Sequence, residues 1–187
     1  MEQPLAGKNI VILIANGFEE HEMTETHRAL LKAGANVRTV SPEQGLVNGW
    51  HGAAWGHYFP VDFQMGDVLG ADYDCLFLPG GARSIAKLNQ TAHTKRIVGH
   101  FLDAGKPIAA MGDGVSLMAV PGKLRGRVVA AAGAAAEALT QAGGRVSHDA
   151  LASDDRTVTA LNAESLEDFV AETIRLFSGA SAVLQAA

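Results

Sequence analysis

The sequence predicts an α/β three-layer sandwich, a mostly parallel sheet with helices on both faces. Two observations carry that expectation. Apolar, β-branched runs such as Asn9-Ile-Val-Ile-Leu-Ile-Ala15 are continuous rather than alternating, as in strands buried on both sides. Between these runs lie stretches of helical periodicity, so strands and helices alternate along the chain and imply parallel crossovers.

The elements follow in order. Asn9–Ala15 is the first strand. After Gly17 a helix is predicted, with Met23, Thr26, His27, Leu30 and Leu31 recurring at helical spacing and Gly34 closing it. Asn36–Val40 is the next strand, ended by Ser41-Pro42. Residues 45–62, rich in glycine and aromatics, are expected to form an irregular β-arm. Asp74–Leu78 is a short buried strand stopped by Pro79-Gly80-Gly81. A helix over 93–104 leads to a strand at Pro107–Met111, and 114–119 is expected to be helical. Arg127–Ala131 is a strand, 134–142 an alanine-rich helix, and two short β segments lie near 145–148 and 156–160. The final helix opens on Ser165-Leu-Glu-Asp168, a capping-box-like start, and presents Leu166, Phe169, Val170, Ile174 and Phe177 on one face.

At 187 residues, 48% hydrophobic and 19% charged, the chain reads as a single domain, 1–187, able to bury a substantial core. It shows no internal repeat or linker, and no low-complexity tract apart from the small-residue tail after Ser178. A net charge of −5 without a basic cluster argues against nucleic acid. The apolar run Ile10–Ala15 is too short to span a bilayer and lacks the basic flank of a signal peptide. The single cysteine, Cys75, suits a reducing cytoplasm, which is the expected location. Seven histidines without cysteine partners give no zinc-finger spacing, and neither a metal nor a cofactor is expected.

In a doubly wound sheet, ligands bind beyond the carboxyl ends of the strands where the strand order switches. Three motifs fall at strand carboxyl ends: Asn16-Gly17-Phe18-Glu19-Glu20-His21-Glu22, Pro79-Gly80-Gly81, and Gly112-Asp113-Gly114. In the last, Lys106-Pro-Ile-Ala-Ala-Met111 runs apolar into Gly-Asp-Gly and resumes as a helix-like stretch. That is the pattern of a strand–sharp turn–helix elbow, the device that lifts a nucleophile above a sheet. No Ser, Cys or Thr stands at its tip.

Taken in order, these pieces resemble the ThiJ/PfpI superfamily of intracellular protease-, glyoxalase- and deglycase-like proteins. The matching segments are Gly17-Phe18-Glu19-Glu20 with Glu22, Leu78-Pro79-Gly80-Gly81, Gly105-Lys106-Pro107, Leu124-Arg-Gly-Arg127 and Ala142-Gly143-Gly144. The resemblance spans roughly the whole chain and implies the class I glutamine-amidotransferase-like, flavodoxin-like fold. It also implies a homo-oligomer, dimer or hexamer. Active members carry Ala-Ile-Cys-His-Gly where this chain has Ala110-Met111-Gly112-Asp113-Gly114. By that alignment Gly112 stands for the nucleophilic cysteine and Asp113 for the histidine. Protease-like members place an acid where this chain has Ile85, so Glu22 alone matches the family's acids. A glycine at the elbow also resembles the carboxy-terminal domains of large-subunit catalases, which keep the fold without the nucleophile.

Each candidate has a structural alternative. Cys75 reads as a small hydrophobe inside a strand. Glu22 reads either as a carboxylate favoured near the positive end of the first helix or as a pocket acid. Asp113 reads either as the N-cap of the elbow helix, accepting from amides near Val115 and Ser116, or as a partner facing Glu22. Two carboxyls in one cleft would raise the pKa of one and permit acid–base work or cation binding, with His21 nearby as a ligand. Ser116 has no visible base, and His51 and His57 form a weak metal pattern. Trp50, Trp55, Tyr58 and Phe59 read as a subunit interface or a roof over the pocket.

The sequence therefore reads as a non-catalytic binding or structural protein, with a small-molecule pocket lined by Glu22, Gly80, Gly81, Gly112, Asp113 and Gly114. Two alternatives stand beside it. One is a cysteine-independent hydrolase or lyase on small carbonyl compounds using Glu22 and Asp113. The other is a stress-related partner-binding module acting through the 45–62 arm.

Overall fold

The computed structural model describes residues 2–179. The part of the small-residue tail beyond Gly179 lies outside the described residues. The elements, in chain order, are β1 (Asn9–Leu13), β2 (Phe18–Glu19), α1 (Glu20–Lys32), β3 (Asn36–Ser41), β4 (Leu46–His51), β5 (Ala54–Pro60), β6 (Phe63–Gln64), β7 (Cys75–Leu78), α2 (Ala82–Leu88), α3 (Ala92–Asp103) and β8 (Ile108–Met111). A 3-10 helix over Gly112–Ala119 follows, then β9 (Val128–Ala130), α4 (Gly133–Gln141), β10 (Arg145–Ser147), β11 (Leu151–Ser153), β12 (Thr157–Ala160) and α5 (Leu166–Phe177).

A seven-stranded sheet runs β11-β12-β8-β7-β1-β3-β6 and is parallel except where β11 pairs antiparallel with β12. Within β1 the side chains divide by parity, as a pleated strand requires. Val11 and Leu13 join one core with Ile85 of α2, Phe101 of α3, Leu117 of the 3-10 helix and Leu139 of α4. Ile10 and Ile12 join the other with Met23 and Leu30 of α1 and Phe169 and Phe177 of α5. Both faces of one strand are thus covered, and this is why its sequence does not alternate.

Helix α1 carries the charged Glu20 in its first turn and Lys32 in its last, each favourable to the helix dipole. It ends in a Schellman motif: Gly34, at φ +95°, donates to Leu31 O and Ala35 donates to Leu30 O. Met23, Thr26 and Leu30 are buried as predicted, but Leu31 is 51% exposed. The expected arm is a hairpin, β4 antiparallel to β5, with a bulge between Asn48 and Trp50, and it joins the body through β2.

Several expectations need correction. Strand β9 pairs only with β10, in a small parallel sheet of their own, rather than extending the main one. Helix α2 and strand β11 are additions that the periodicity did not announce. The helix after the elbow is a 3-10 helix and begins at Gly112, two residues before the predicted start. Ser165 makes no side-chain cap. Instead Asn162 accepts from the Glu164 amide and opens a short 3-10 turn ahead of α5.

Candidate functional site

The strand order reverses between β1 and β7. The connection after β1 crosses through α1 to β3, while the one after β7 leads to β8 on the other side. The three sequence motifs meet at the crevice this creates. There, Glu19 donates its amide to Gly80 O at 2.9 Å, stitching the first motif to the second. Ala15 donates its amide to Ser84 Oγ at 2.9 Å, which fixes α2 over the same strand end.

The glycines allow this close assembly. A Cβ on Gly81, whose φ is +114°, would overlap the Gly17 carbonyl. One on Gly114 would overlap the carbonyl of Leu78, so the elbow helix packs directly onto the end of β7. Gly112 has φ +55°, yet a Cβ there would meet only Glu22 Oε1 at 3.5 Å and Leu161 O at 3.7 Å. Space is therefore open at the elbow tip and closed at its neighbours.

That open space belongs to a pocket of about 270 Å³ lined by Glu19, Glu22, Gly80, Gly81, Gly112 and Asp113, with Leu161, Asn162 and Ala163 completing it. Of the predicted pocket residues only Gly114 is off the wall, spent on packing. Glu22 is 5% exposed and takes a hydrogen bond from the Gly80 amide. Burial first, and then the charges of Glu19 and Asp113, push its carboxyl up to about 8. Glu19 is also raised, by burial and by Asp113, against a lowering from His51. Three carboxyls, of Glu19, Glu22 and Asp113, thus line one pocket, and that of Glu22 is held well above the usual carboxylate range. Glu19, which the sequence does not single out, joins the pocket from the N-cap position of α1, at the end of β2.

Asp113 is not the N-cap. Met111 holds that position without any side-chain bond, and Asp113 lies inside the first turn with its carbonyl accepting from Ser116 Oγ at 2.7 Å. Its carboxylate is thereby left to the pocket wall, facing the same space as Glu22. Glu22 likewise does not cap α1, where Glu19 is the N-cap residue. His21 lines a separate groove with Glu25, Ala163 and Glu164. On its other side the pocket adjoins a groove of about 720 Å³ that shares Gly112, Asp113, Leu161 and Asn162 and is otherwise lined largely by alanines of α2, α4 and the 131–132 turn.

Cys75 is fully enclosed at the opposite, amino-terminal end of β7, and burial pushes its thiol up to about 12. Three residues of extended chain, about 10 Å, separate it from the end of the strand that meets the pocket.

The hairpin is held by contacts the sequence did not reveal. Glu20 reaches beneath it, and its carboxylate accepts from the His57 amide at 2.8 Å and pairs with His57 Nδ1. Burial works against the charge of Glu20, but the side-chain and backbone bonds from His57 prevail and hold its pKa below the usual carboxylate range. Glycines at 49 and 56 make room for that carboxylate. The Arg83 guanidinium stacks 4.0 Å from the Trp50 ring centroid and 5.8 Å from that of Trp55, and the two indoles meet edge to face at 5.3 Å. Phe59 packs against Phe18 at 5.4 Å, while Trp55 and Tyr58 stay 52% and 68% exposed. Among the described residues no group of three or more His, Cys, Asp or Glu is arranged to hold a metal ion, and no helix is long and apolar enough to cross a membrane.

Against known proteins, a model of the DJ-1/PfpI family matches residues 8–176. The chain is 29% identical over 171 residues to Protein/nucleic acid deglycase 2 of Escherichia coli, covering 90% of this chain and 97% of that protein. It is 28% identical over 134 residues to Protein DJ-1 homolog D of Arabidopsis thaliana, covering 65% of this chain and 34% of that protein. The chain spans less than half the length of the Arabidopsis relatives it matches. The crystal structure of a ThiJ/PfpI domain protein from Brachyspira murdochii superposes with a TM-score of 0.81 at 21% identity, over 97% of this chain and all of that one.

Proposed function

The chain belongs to the DJ-1/PfpI family, and from that premise we propose that it is a non-catalytic member that binds a small molecule at the β1–β7 crevice through Glu22, Gly80, Gly81, Gly112 and Asp113. One observation carries this reading. Gly112, at φ +55°, occupies the elbow tip that faces Glu22, so no nucleophilic side chain projects there. The only thiol in the sequence, Cys75, is buried at the far end of β7 and has a pKa of about 12, which leaves it inert at neutral pH.

The test is an assay of methylglyoxal, a glycated amine and a peptide substrate with purified protein. The reading expects no turnover in any of the three, before or after iodoacetamide. Turnover abolished by alkylation would refute it.

A second reading is favoured by the pair Glu22 and Asp113. A carboxyl with a pKa of about 8 beside an acidic partner has the form of a general acid and base set apart by environment. On that reading the protein is a hydrolase or lyase on small carbonyl compounds without a cysteine. Turnover insensitive to iodoacetamide and lost in Glu22→Gln would establish it in place of the first.

The exposed indole of Trp55 and ring of Tyr58 on the hairpin support a homo-oligomer, dimer or hexamer, joined through this arm. They equally suit a stress-related partner docking there. Light scattering of the wild type beside Trp55→Ser with Tyr58→Ser separates the two: a drop in mass in the variant supports self-association. The lone cysteine supports a cytoplasmic location.

A further inference from the structure

We propose that His100 and Lys106 form an acid-sensitive clamp on the 65–73 crossover. A proton taken up by His100 frees the Gly70–Tyr73 half, while Arg96 keeps the Met65–Val68 half pinned. The clamp lies at the amino-terminal ends of β7 and β8, away from the crevice at their carboxyl ends.

Residues 65–73 join β6 to β7 through two single-turn 3-10 helices, Met65–Asp67 and Gly70–Asp72. Turns this short leave backbone carbonyls in need of partners from outside. Two cations supply them. Arg96 of α3 donates to Val68 O at 2.8 Å and to Met65 O at 2.9 Å. Lys106 Nζ donates to Tyr73 O at 2.9 Å and to Gly70 O at 3.2 Å. Met65, Val68 and Tyr73 are buried in the core that includes Phe101 of α3, so these bonds also hold core side chains in place.

The two cations differ in what else they touch. Lys106 has three N–H donors, and the third meets His100 Nε2 at 3.0 Å. An ammonium donates only, so Nε2 accepts and His100 is the neutral Nδ1–H tautomer in this conformation. Its ring is packed on the backbone of Gly70, where a Cβ would fall 2.7 Å from His100 Cδ2. Burial and then the Lys106 charge hold His100 below the usual imidazole range, against a raising by Asp103. Asp103 is already committed to Lys123 at 2.8 Å and Arg125 at 3.5 Å. Arg127, which donates to Lys106 O at 3.4 Å, adds a further cation nearby. On the crossover side, Asp72 acts on Tyr73, and Asp74 accepts from the Asn9 amide.

Protonation of His100 therefore removes an acceptor and sets two cations 3.0 Å apart. Arg96 keeps its charge and its two carbonyls whatever the pH. His93 Nδ1 lies 3.4 Å from Arg96, but that ring is exposed and water solvates it when charged. The folded chain holds the His100 proton less tightly than the unfolded chain. The clamp's contribution is thus present above pH 6.5 and is lost as pH falls below it.

Long-range proton–nitrogen NMR of the full chain from pH 8 to pH 5, with hydrogen exchange across residues 64–74, tests this. An Nδ1–H tautomer at pH 8 and a His100 midpoint below about 6.5 are expected. Between pH 7.5 and pH 5.5, protection at Asp72 and Tyr73, corrected for intrinsic exchange, is expected to fall about threefold or more relative to residues 65–68. In His100→Gln, whose side-chain oxygen accepts from Lys106 at every pH, the two halves are expected to respond alike. Lys106→Met gives a second measure, since the His100 midpoint is expected to rise once the ammonium is gone. Near-UV circular dichroism verifies that both variants are folded. An Nε2–H tautomer, a wild-type midpoint above about 6.5, or equal loss of protection in both halves would each overturn the clamp. So would an acid response of the Gly70–Tyr73 half that persists in folded His100→Gln, or a His100 midpoint unmoved in folded Lys106→Met.

Discussion

Glu22 Oε1 lies 3.5 Å from the point that a Cβ on Gly112 would occupy, so the elbow still has room for a side chain that this chain does not supply. The cost of adding one is conformational rather than steric. A non-glycine residue at φ +55° is strained by on the order of 1 kcal/mol or more. Gly112→Cys is therefore expected to fold, with a midpoint of thermal unfolding lower by about 2–4 °C. The new thiol is expected to oxidise under peroxide, read by mass spectrometry. An unchanged or raised midpoint would mean that the elbow backbone is not held in this conformation.

Alkylation is expected to leave the native protein unmodified. Burial of the Cys75 thiol, with its pKa of about 12, keeps the thiolate fraction negligible at pH 8. Iodoacetamide should label Cys75 only once denaturant is added. Rapid labelling of the folded chain would contradict the enclosed position of Cys75.

Glu22 makes stability depend on pH in a definite direction. Its folded pKa of about 8 lies above the unfolded value of about 4.5, so the folded state binds the proton more tightly. The contribution is fully present below pH 4.5, declines as pH rises, and is lost once pH passes 8. Glu19, also raised, adds to the same slope. Urea unfolding at pH 5.5 and 8.5 is expected to show a smaller loss of stability in Glu22→Gln than in the wild type. Parallel slopes in the two proteins would show that Glu22 ionises normally in the fold.

Gly114 is predicted to be the least replaceable glycine of the elbow. Its φ is not the obstacle. A Cβ there runs into the backbone carbonyls of Leu78 and Pro79, which cannot swing aside. Gly114→Ala is expected to cost about 2 kcal/mol or more by overpacking. Gly66→Ala, whose Cβ would meet only His93 at 3.5 Å, should cost far less in the same denaturation assay.

Anions are expected to avoid the elbow. Free amides at a helix start ordinarily attract sulfate or phosphate, but here Asp113 and Glu19 line the same wall. Phosphate titration followed by NMR should give no saturable shifts at Gly112–Gly114 in the wild type and partial recovery in Asp113→Asn. Saturable shifts in the wild type would refute this self-occlusion.

The strands and their carboxyl-end turns were readable because burial on both faces removes polar residues and glycines mark the places where backbones touch. Gly81 and Gly114 owe their identity to such contacts, so the three motifs point to one crevice from the sequence alone. The roles within it were less legible. Of the two readings open to Asp113, the cap depends on a helix starting at residue 114, whereas the 3-10 helix starts at Gly112 and moves Asp113 inside its first turn. Glu20 with His57, and Arg83 with Trp50, join residues more than thirty positions apart, and no local periodicity records such pairs. Helix α2 spans only seven residues and has no side-chain cap, so neither of the usual helix signals was present.

The chain's two tryptophans are Trp50 and Trp55, and both sit in the hairpin, edge to face and beneath Arg83. The molecule's ultraviolet emission therefore comes from the arm, while its far-ultraviolet dichroism comes mainly from the sheet and helices. Heating followed by both signals reads two parts of the molecule in one sample. Emission tracks the release of the arm from Arg83 and Glu20, and dichroism tracks the collapse of the core. The same light reports anything that docks on the arm, with no label attached.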